Sequence, residues 1–227
     1  MTLNKVFIAT ALIATTTTSI SAQAATPYIE GQIGYANTDK VNTHSYSGTD
    51  GSITITNLMG RLNYDSSASF GAEIGMKDIL VPNLRIGASF TTMKFDFKNA
   101  VISGSITDGV DTISGSLPIS AADFATVGVS FDTRVNLYMA NAYYDFKNDS
   151  QFTPFVGFGV GVADVKNAID NEFAYSVNAG AKYNIDKNVY VGAKATYTNI
   201  NGPTDQFEIP YKNIDLYTIN VALGFEF

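Results

Sequence analysis

The sequence predicts an all-β protein whose strands close into a single eight-stranded antiparallel barrel that spans a membrane. Three observations carry this expectation. Past the first two dozen residues the chain alternates apolar and polar residues with period 2 again and again, and 3.6-residue periodicity is almost absent. Eight such segments can be marked, each about ten residues or slightly longer, the length a tilted strand needs to cross a bilayer. The connections between them alternate between short turns and long loops, as in outer-membrane barrels.

The segments follow in order. Residues 28–37 set Ile29, Ile33 and Tyr35 against Glu30 and Gln32. Residues 69–79 set Phe70, Ala72, Ile74 and Met76 against Gly71, Glu73, Gly75 and Lys77. Pro82-Asn83 then supplies a short turn. Residues 84–97 set Leu84, Ile86, Ala88 and Phe90 against Arg85, Gly87, Ser89 and Thr91. Residues 135–146 place Tyr138, Ala140, Ala142, Tyr144 and Phe146 on one face and Met139, Asn141, Tyr143 and Asp145 on the other. In 152–165 the valines alternate with Gly157, Gly159 and Gly161. Residues 172–185 and 189–199 repeat the pattern around the tight turn Asp186-Lys187-Asn188, with Lys182 and Lys194 on the polar faces. The eighth segment is YTINVALGFEF, with Tyr217, Ile219, Val221, Leu223, Phe225 and Phe227 on one face and Glu226 on the other.

Short turns are expected at 79–83, 147–151 and 186–188, and long loops at 38–68, 98–134 and 200–214. The non-apolar face is Gly, Ser, Thr and Asn with a few charges, which suits a narrow barrel interior filled by side chains. A soluble sandwich would carry many more Lys and Glu on its solvent face. The apolar face therefore points to lipid. Tyr35, Tyr144, Tyr183, Tyr197 and Tyr217 fall near segment ends, at the depth of an interfacial aromatic girdle.

Composition agrees. Charged residues make up only 15% of the 227 residues, against a usual share of about 25%. There is no Cys, so disulfides and thiolate metal sites are excluded. With 14 Lys plus Arg against 21 Asp plus Glu, the chain is a poor nucleic-acid partner. The N-terminus has Lys5, a short apolar run from Val6 to Ile13 and the small-x-small triplet Ala22-Gln23-Ala24. That is a cleaved export signal over residues 1–24, leaving a single barrel domain at 25–227. No other stretch reaches the 18 or so apolar residues of a membrane helix.

Chemistry is sparse. Gly157-Phe-Gly-Val-Gly161 lacks the spacing and the following helix of a dinucleotide fingerprint. The single His, His44, sits in the first long loop among Asn42, Thr43, Ser45 and Tyr46, which reads as a solvated position rather than a catalytic one. No catalytic residue, metal site or cofactor is expected. Asp108-Gly109 lies between Ile102-Ser-Gly-Ser105 and Ile113-Ser-Gly-Ser116, so the second long loop is expected to hold a β-hairpin. Asp50, Asp108, Asp111, Asp123 and Asp132 would make the outer surface acidic. Inside, Glu30, Glu73, Asp145 and Glu226 share the expected lumen with Lys77, Arg85, Lys182 and Lys194. Charges there must pair, either as a plug or as the lining of a small passive pore.

Asn141-Ala-Tyr-Tyr-Asp-Phe146, Thr153-Pro-Phe-Val-Gly-Phe-Gly-Val-Gly161, Tyr28-Ile-Glu-Gly-Gln-Ile-Gly-Tyr35 and Asn83-Leu-Arg-Ile-Gly87 carry a family resemblance. The sequence resembles the opacity-type outer-membrane β-barrels, a family of surface antigens and adhesins similar in architecture to the transmembrane part of outer-membrane protein A. The resemblance implies a non-enzymatic, monomeric envelope protein in contact with outer-membrane lipid and lipopolysaccharide, meeting host surface molecules through loops 38–68 and 98–134. The closing residues Tyr217, Phe225 and Phe227 resemble the signal that such proteins present to the barrel-assembly machinery.

Overall fold

The computed structural model describes residues 25–126, 131–206 and 208–227. The expected export signal, 1–24, lies outside them. In chain order the elements are β1 (Thr26–Thr38), β2 (Val41–Asn42), β3 (Tyr46–Asp50), β4 (Ile53–Tyr64), β5 (Ser67–Lys77), β6 (Leu84–Phe95), β7 (Phe97–Thr107), β8 (Thr112–Ser120), the short helix α1 (Ala121–Thr126), β9 (Thr133–Asp145), β10 (Phe152–Val165), β11 (Glu172–Asn184), β12 (Val189–Ile200) and β13 (Ile214–Glu226). Eight of them form a closed antiparallel barrel in the order β1-β13-β12-β11-β10-β9-β6-β5. These are the eight segments marked in the sequence.

Closure is made by β1, which pairs with β13 from Tyr28↔Glu226 to Thr38↔Leu216 and with β5 on its other side. Every barrel strand thereby has two neighbours, and no edge meets hydrocarbon. The faces also fall as the alternation predicts. Ile33, Ile74, Ile219 and Val221 are exposed, 57–66% of their surface facing outward. Their sequence neighbours Gln32, Glu73, Asn220 and Ala222 are buried inside.

Aromatic rings bound this apolar belt. Tyr35, Tyr197 and Tyr217 mark one end, with the Tyr197 and Tyr217 rings 5.4 Å apart. Tyr144, Tyr183, Phe225 and Phe227 mark the other. Tyr217 and Phe225 are eight residues apart in sequence. At a rise of ~3.3 Å per residue and a tilt of ~40°, that is a band about 20 Å tall, close to the expected apolar height.

Two features depart from the sequence reading. The lumen is polar only in its lower and middle parts. Towards the long-loop end, Met93, Phe95, Val135, Leu137, Val165, Ile200 and Leu216 point inward and form one apolar cluster. Their outward neighbours Lys94, Arg134, Asn136, Asp164 and Asp215 are polar, so alternation continues there with the apolar residues facing in, and period 2 alone does not say which face is the lumen.

The second departure concerns the long loops, which are not separate. Strand β4 from loop 38–68 pairs with β7 from loop 98–134, and together with β2, β3 and β8 they make a five-stranded sheet beyond the barrel rim. The expected segment 84–97 is accordingly broken at Asp96. Below it β6 belongs to the barrel, above it β7 belongs to the sheet, and the Asp65 N–H donates to the Asp96 carbonyl at the corner (3.0 Å). The β7–β8 hairpin itself lies where the Asp-Gly turn puts it, with Gly104 opposite Gly115.

The lipid-facing assignment has a direct test. Val221→Arg places a charge between the girdles and should destabilise the folded protein by about 2–4 kcal/mol in urea titrations from lipid bilayers. Ile113→Lys, at an equally exposed apolar position on the sheet beyond the rim, should stay within about 0.5 kcal/mol.

Candidate functional site

The interior begins at the short-turn end with a network of charges. The Asp145 carboxylate, fully buried, accepts from Arg85 Nε at 3.1 Å and from Lys182 Nζ at 2.8 Å. Lys182 also lies 3.5 Å from Glu226, which pairs in turn with Lys77. Lys194 sits between Glu30 (4.0 Å) and Glu73 (3.8 Å). All eight sequence-selected lumen residues thus fall into two clusters that share the same short stretch of barrel. Glu30, Glu73, Asp145 and Glu226 stand against Lys77, Arg85, Lys182 and Lys194, so the formal sum is 4 − 4 = 0. Charges this buried are tolerated because each has an opposite partner, and the carboxylates take further hydrogen bonds, while one Arg85 guanidinium nitrogen is buried without one.

Those further bonds come from residues that sequence reasoning missed. The Tyr28 and Tyr143 hydroxyls donate to the two Glu73 oxygens at 2.6 and 2.7 Å, and Tyr190 donates to Glu30 at 2.7 Å. The Gln32 and Asn141 amides add one donor each, to Glu30 and to Glu73. The Arg85 guanidinium lies 4.5 Å from the Tyr143 ring centroid and 5.0 Å from that of Phe155, so aromatic faces carry the side of the cation its carboxylate does not reach.

A signal for the tyrosines was present in their inward parity on each strand; the glycine opposite each comes from the neighbouring strand. A Cβ on Gly75 would come within 2.6 Å of the Tyr28 ring. One on Gly224 or Gly157 would collide with Tyr190 or Tyr143. The glycines of 157–161 are therefore packing space for large inward neighbours.

Above the charges lies a neutral polar layer. Ser69 donates to Asn220, Asn141 to Ser89 (2.8 Å) and Thr196 to Asn178 (2.8 Å). The space left there is about 30 Å³, lined by Gln32, Asn141, Lys194 and Asn220 among others. That is room for about one water molecule.

The extracellular sheet is the second candidate. Its two faces differ. Ser105 and Ser114 hydrogen-bond across one face at 2.7 Å, as do Thr107 and Thr112 at 2.8 Å. The other face pairs Ile106 with Ile113 and Ile102 with Leu117, and all four are exposed, Ile113 at 77%. The turn at its tip is built by Asp108, whose carboxylate accepts the Asp111 and Val110 N–H groups at 2.8 and 3.0 Å. Those bonds hold its pKa below the ordinary value. The acidic surface is smaller than expected. Asp132 is half-buried and accepts the Phe97 N–H at 3.0 Å, tying the barrel rim to β7. Burial and the nearby Asp132 charge push the Tyr64 phenol up to about 12. His44 is exposed in loop 38–68, where its N–H donates to the Pro210 carbonyl. Tyr217, Phe225 and Phe227 lie on the lipid face of β13, with the two Phe rings 5.0 Å apart.

A closed eight-strand sheet with an apolar belt, aromatic girdles and a charge-filled centre defines an outer-membrane β-barrel. The whole described barrel lies within a match, over residues 7–227, to the outer membrane protein beta-barrel domain family, and the chain belongs to that family. It is 33% identical over 105 residues to the outer membrane protein PagN of Salmonella typhimurium strain LT2. That match spans 39% of this chain and 44% of PagN. Among solved structures, neisserial surface protein A superposes with a TM-score of 0.57 at 14% identity, covering 90% of this chain and all of the other. That likeness is one of fold.

Asp145→Asn removes the carboxylate that Arg85 pairs with and leaves Lys182 to Glu226, and should cost about 3–5 kcal/mol of stability. Lys147→Ala, which breaks the solvated pair with Asp78, should cost under about 1 kcal/mol in the same urea titration. At the hairpin tip, a depressed Asp108 pKa means the turn is held above the ordinary Asp value and loosens as pH falls through the folded one. The Val110 and Asp111 amide shifts should therefore titrate together with a midpoint below about 3.9.

Proposed function

We propose that this outer-membrane protein is a non-conducting, non-enzymatic barrel that acts outward, as an adhesin or surface antigen meeting host surface molecules through loops 38–68 and 98–134. The observation that carries this reading is the exposed apolar face of the extracellular sheet. Ile102, Ile106, Ile113 and Leu117 stand in water beyond the membrane band, on the paired strands β7 and β8. Contiguous exposed apolar surface is costly to keep unless something covers it, and it marks interaction sites. Among the described residues β8 pairs only with β7, so its outer edge is open as well. The lumen supports the non-conducting part: its ions neutralise one another, and the polar layer above them holds a space of only about 30 Å³. In this reading the charge network is a plug that fixes the barrel, outer-membrane lipid and lipopolysaccharide surround it, and the aromatic end of β13 is what the barrel-assembly machinery receives.

Bacteria displaying the wild type should bind host cells saturably. Ile113→Lys combined with Leu117→Lys should abolish that binding at unchanged surface level. Equal binding by the variant removes the sheet from the function. The passive-pore alternative makes the opposite demand on planar bilayers. Wild type, Arg85→Ala and Lys194→Ala should all be silent; discrete openings that change in the variants would make transport the function.

A further inference from the structure

The apolar upper lumen is not completely filled. Beneath the extracellular sheet it holds a cavity of about 250 Å³. Its walls are Val135, Val165, Ile200 and Leu216 from the barrel strands, closed over by Leu62 and Tyr64 of β4. Tyr211 and Pro203, from the segment between β12 and β13, complete it. The polar lining residues, Thr38, Thr133, Lys166, Asn167, Asp205 and Gln206, come from strand ends and loops at the rim, where Lys166 and Gln206 are exposed. The polar layer around Asn141 and Asn220 lies below, so the cavity is a blind pocket rather than a stage in a conduit.

We infer that this cavity is a binding site for a small amphipathic molecule, an apolar ring or short chain carrying one polar end. Three physical points lead there. Apolar cavities of about 150 Å³ stay dry and take up benzene-sized molecules, and this one is larger. The apolar walls offer van der Waals contacts that an apolar occupant would complete. The third is the distribution of polarity: a buried apolar body with convergent polar groups at one rim is the ordinary form of a small-molecule site. Two sources offer this chemistry, a free molecule from outside or an acyl chain from the surrounding leaflet.

The site can be tested by methyl NMR on the full barrel in lipid nanodiscs. The probes are 1-octanol and p-cresol. Val135, Val165, Ile200 and Leu216 methyls report the cavity, and Val156, Val160 and Val177 methyls on the lipid face report partition into the bilayer. The expected result is saturable shifts at the inner methyls while the outer ones drift linearly. Val165→Phe, and independently Ala168→Trp at the rim, should weaken the saturable component at least tenfold while the barrel keeps its heat-modifiable band on a gel. Two separate fillings guard against one that disturbs the fold. Cross-relaxation from inner methyls to lipid chains before any probe is added would establish the site and assign its occupant as an acyl chain. Inner methyls that stay still, or merely track the outer ones, with no lipid contact, would overturn the inference.

Discussion

Everything in this molecule follows from closing a sheet in a solvent that cannot hydrogen-bond. In hydrocarbon an unpaired N–H or C=O costs several kcal/mol, so the chain has no stable transmembrane state until β1 meets β13. Closure then fixes the strand count, the strand count fixes the diameter, and the diameter decides what the interior can hold. Eight strands enclose a space that side chains just fill. Large inward residues must be matched to small ones, which is why Tyr28, Tyr143 and Tyr190 each sit against glycine.

The interior is graded along its axis, and the gradient separates two tasks. At one end eight formal charges cancel within a few ångströms and are bound by tyrosine hydroxyls. Such a network contributes little net stability compared with a well-packed apolar core, but it penalises any register that leaves a charge without its partner. At the other end the walls are apolar and the sheet formed by the two longest loops closes over them. The middle layer of Ser, Thr and Asn insulates one from the other.

The same closure organises the outside. The barrel pairs β5 with β6, and their continuations β4 and β7 leave the rim side by side and go on pairing. The crown is thus an extension of the barrel's own ladder, with a corner at Asp65 and Asp96, and not two independent loops. It holds the Ile and Leu face away from the membrane on a hydrogen-bonded sheet. An apolar patch on a flexible loop would collapse onto itself; on a sheet it stays presented.

Much of this was legible in the residues. Alternation located all eight barrel strands and assigned Ile33, Ile74 and Val221 to lipid and Glu30, Glu73, Arg85 and Asp145 to the lumen, because a strand has only two faces and lipid and lumen demand different chemistry of them. Asp108-Gly109 located the hairpin, because a two-sided local turn is written in adjacent residues. What the sequence could not determine was anything set by partners far along the chain. The pairing of Arg61 with Val101 and of Tyr64 with Phe97, the sharing of Asp145 between Arg85 and Lys182, and the inward tyrosines binding Glu30 and Glu73 all depend on which strands become neighbours. The apolar upper lumen was hidden for a different reason: beyond the lipid band the alternation continues with apolar residues facing in and polar ones such as Lys94, Arg134 and Asp164 facing out, and period 2 does not mark where that exchange occurs. The strands and their faces are local properties of the chain. The charge network, the crown and the pocket exist only once closure has brought distant residues together.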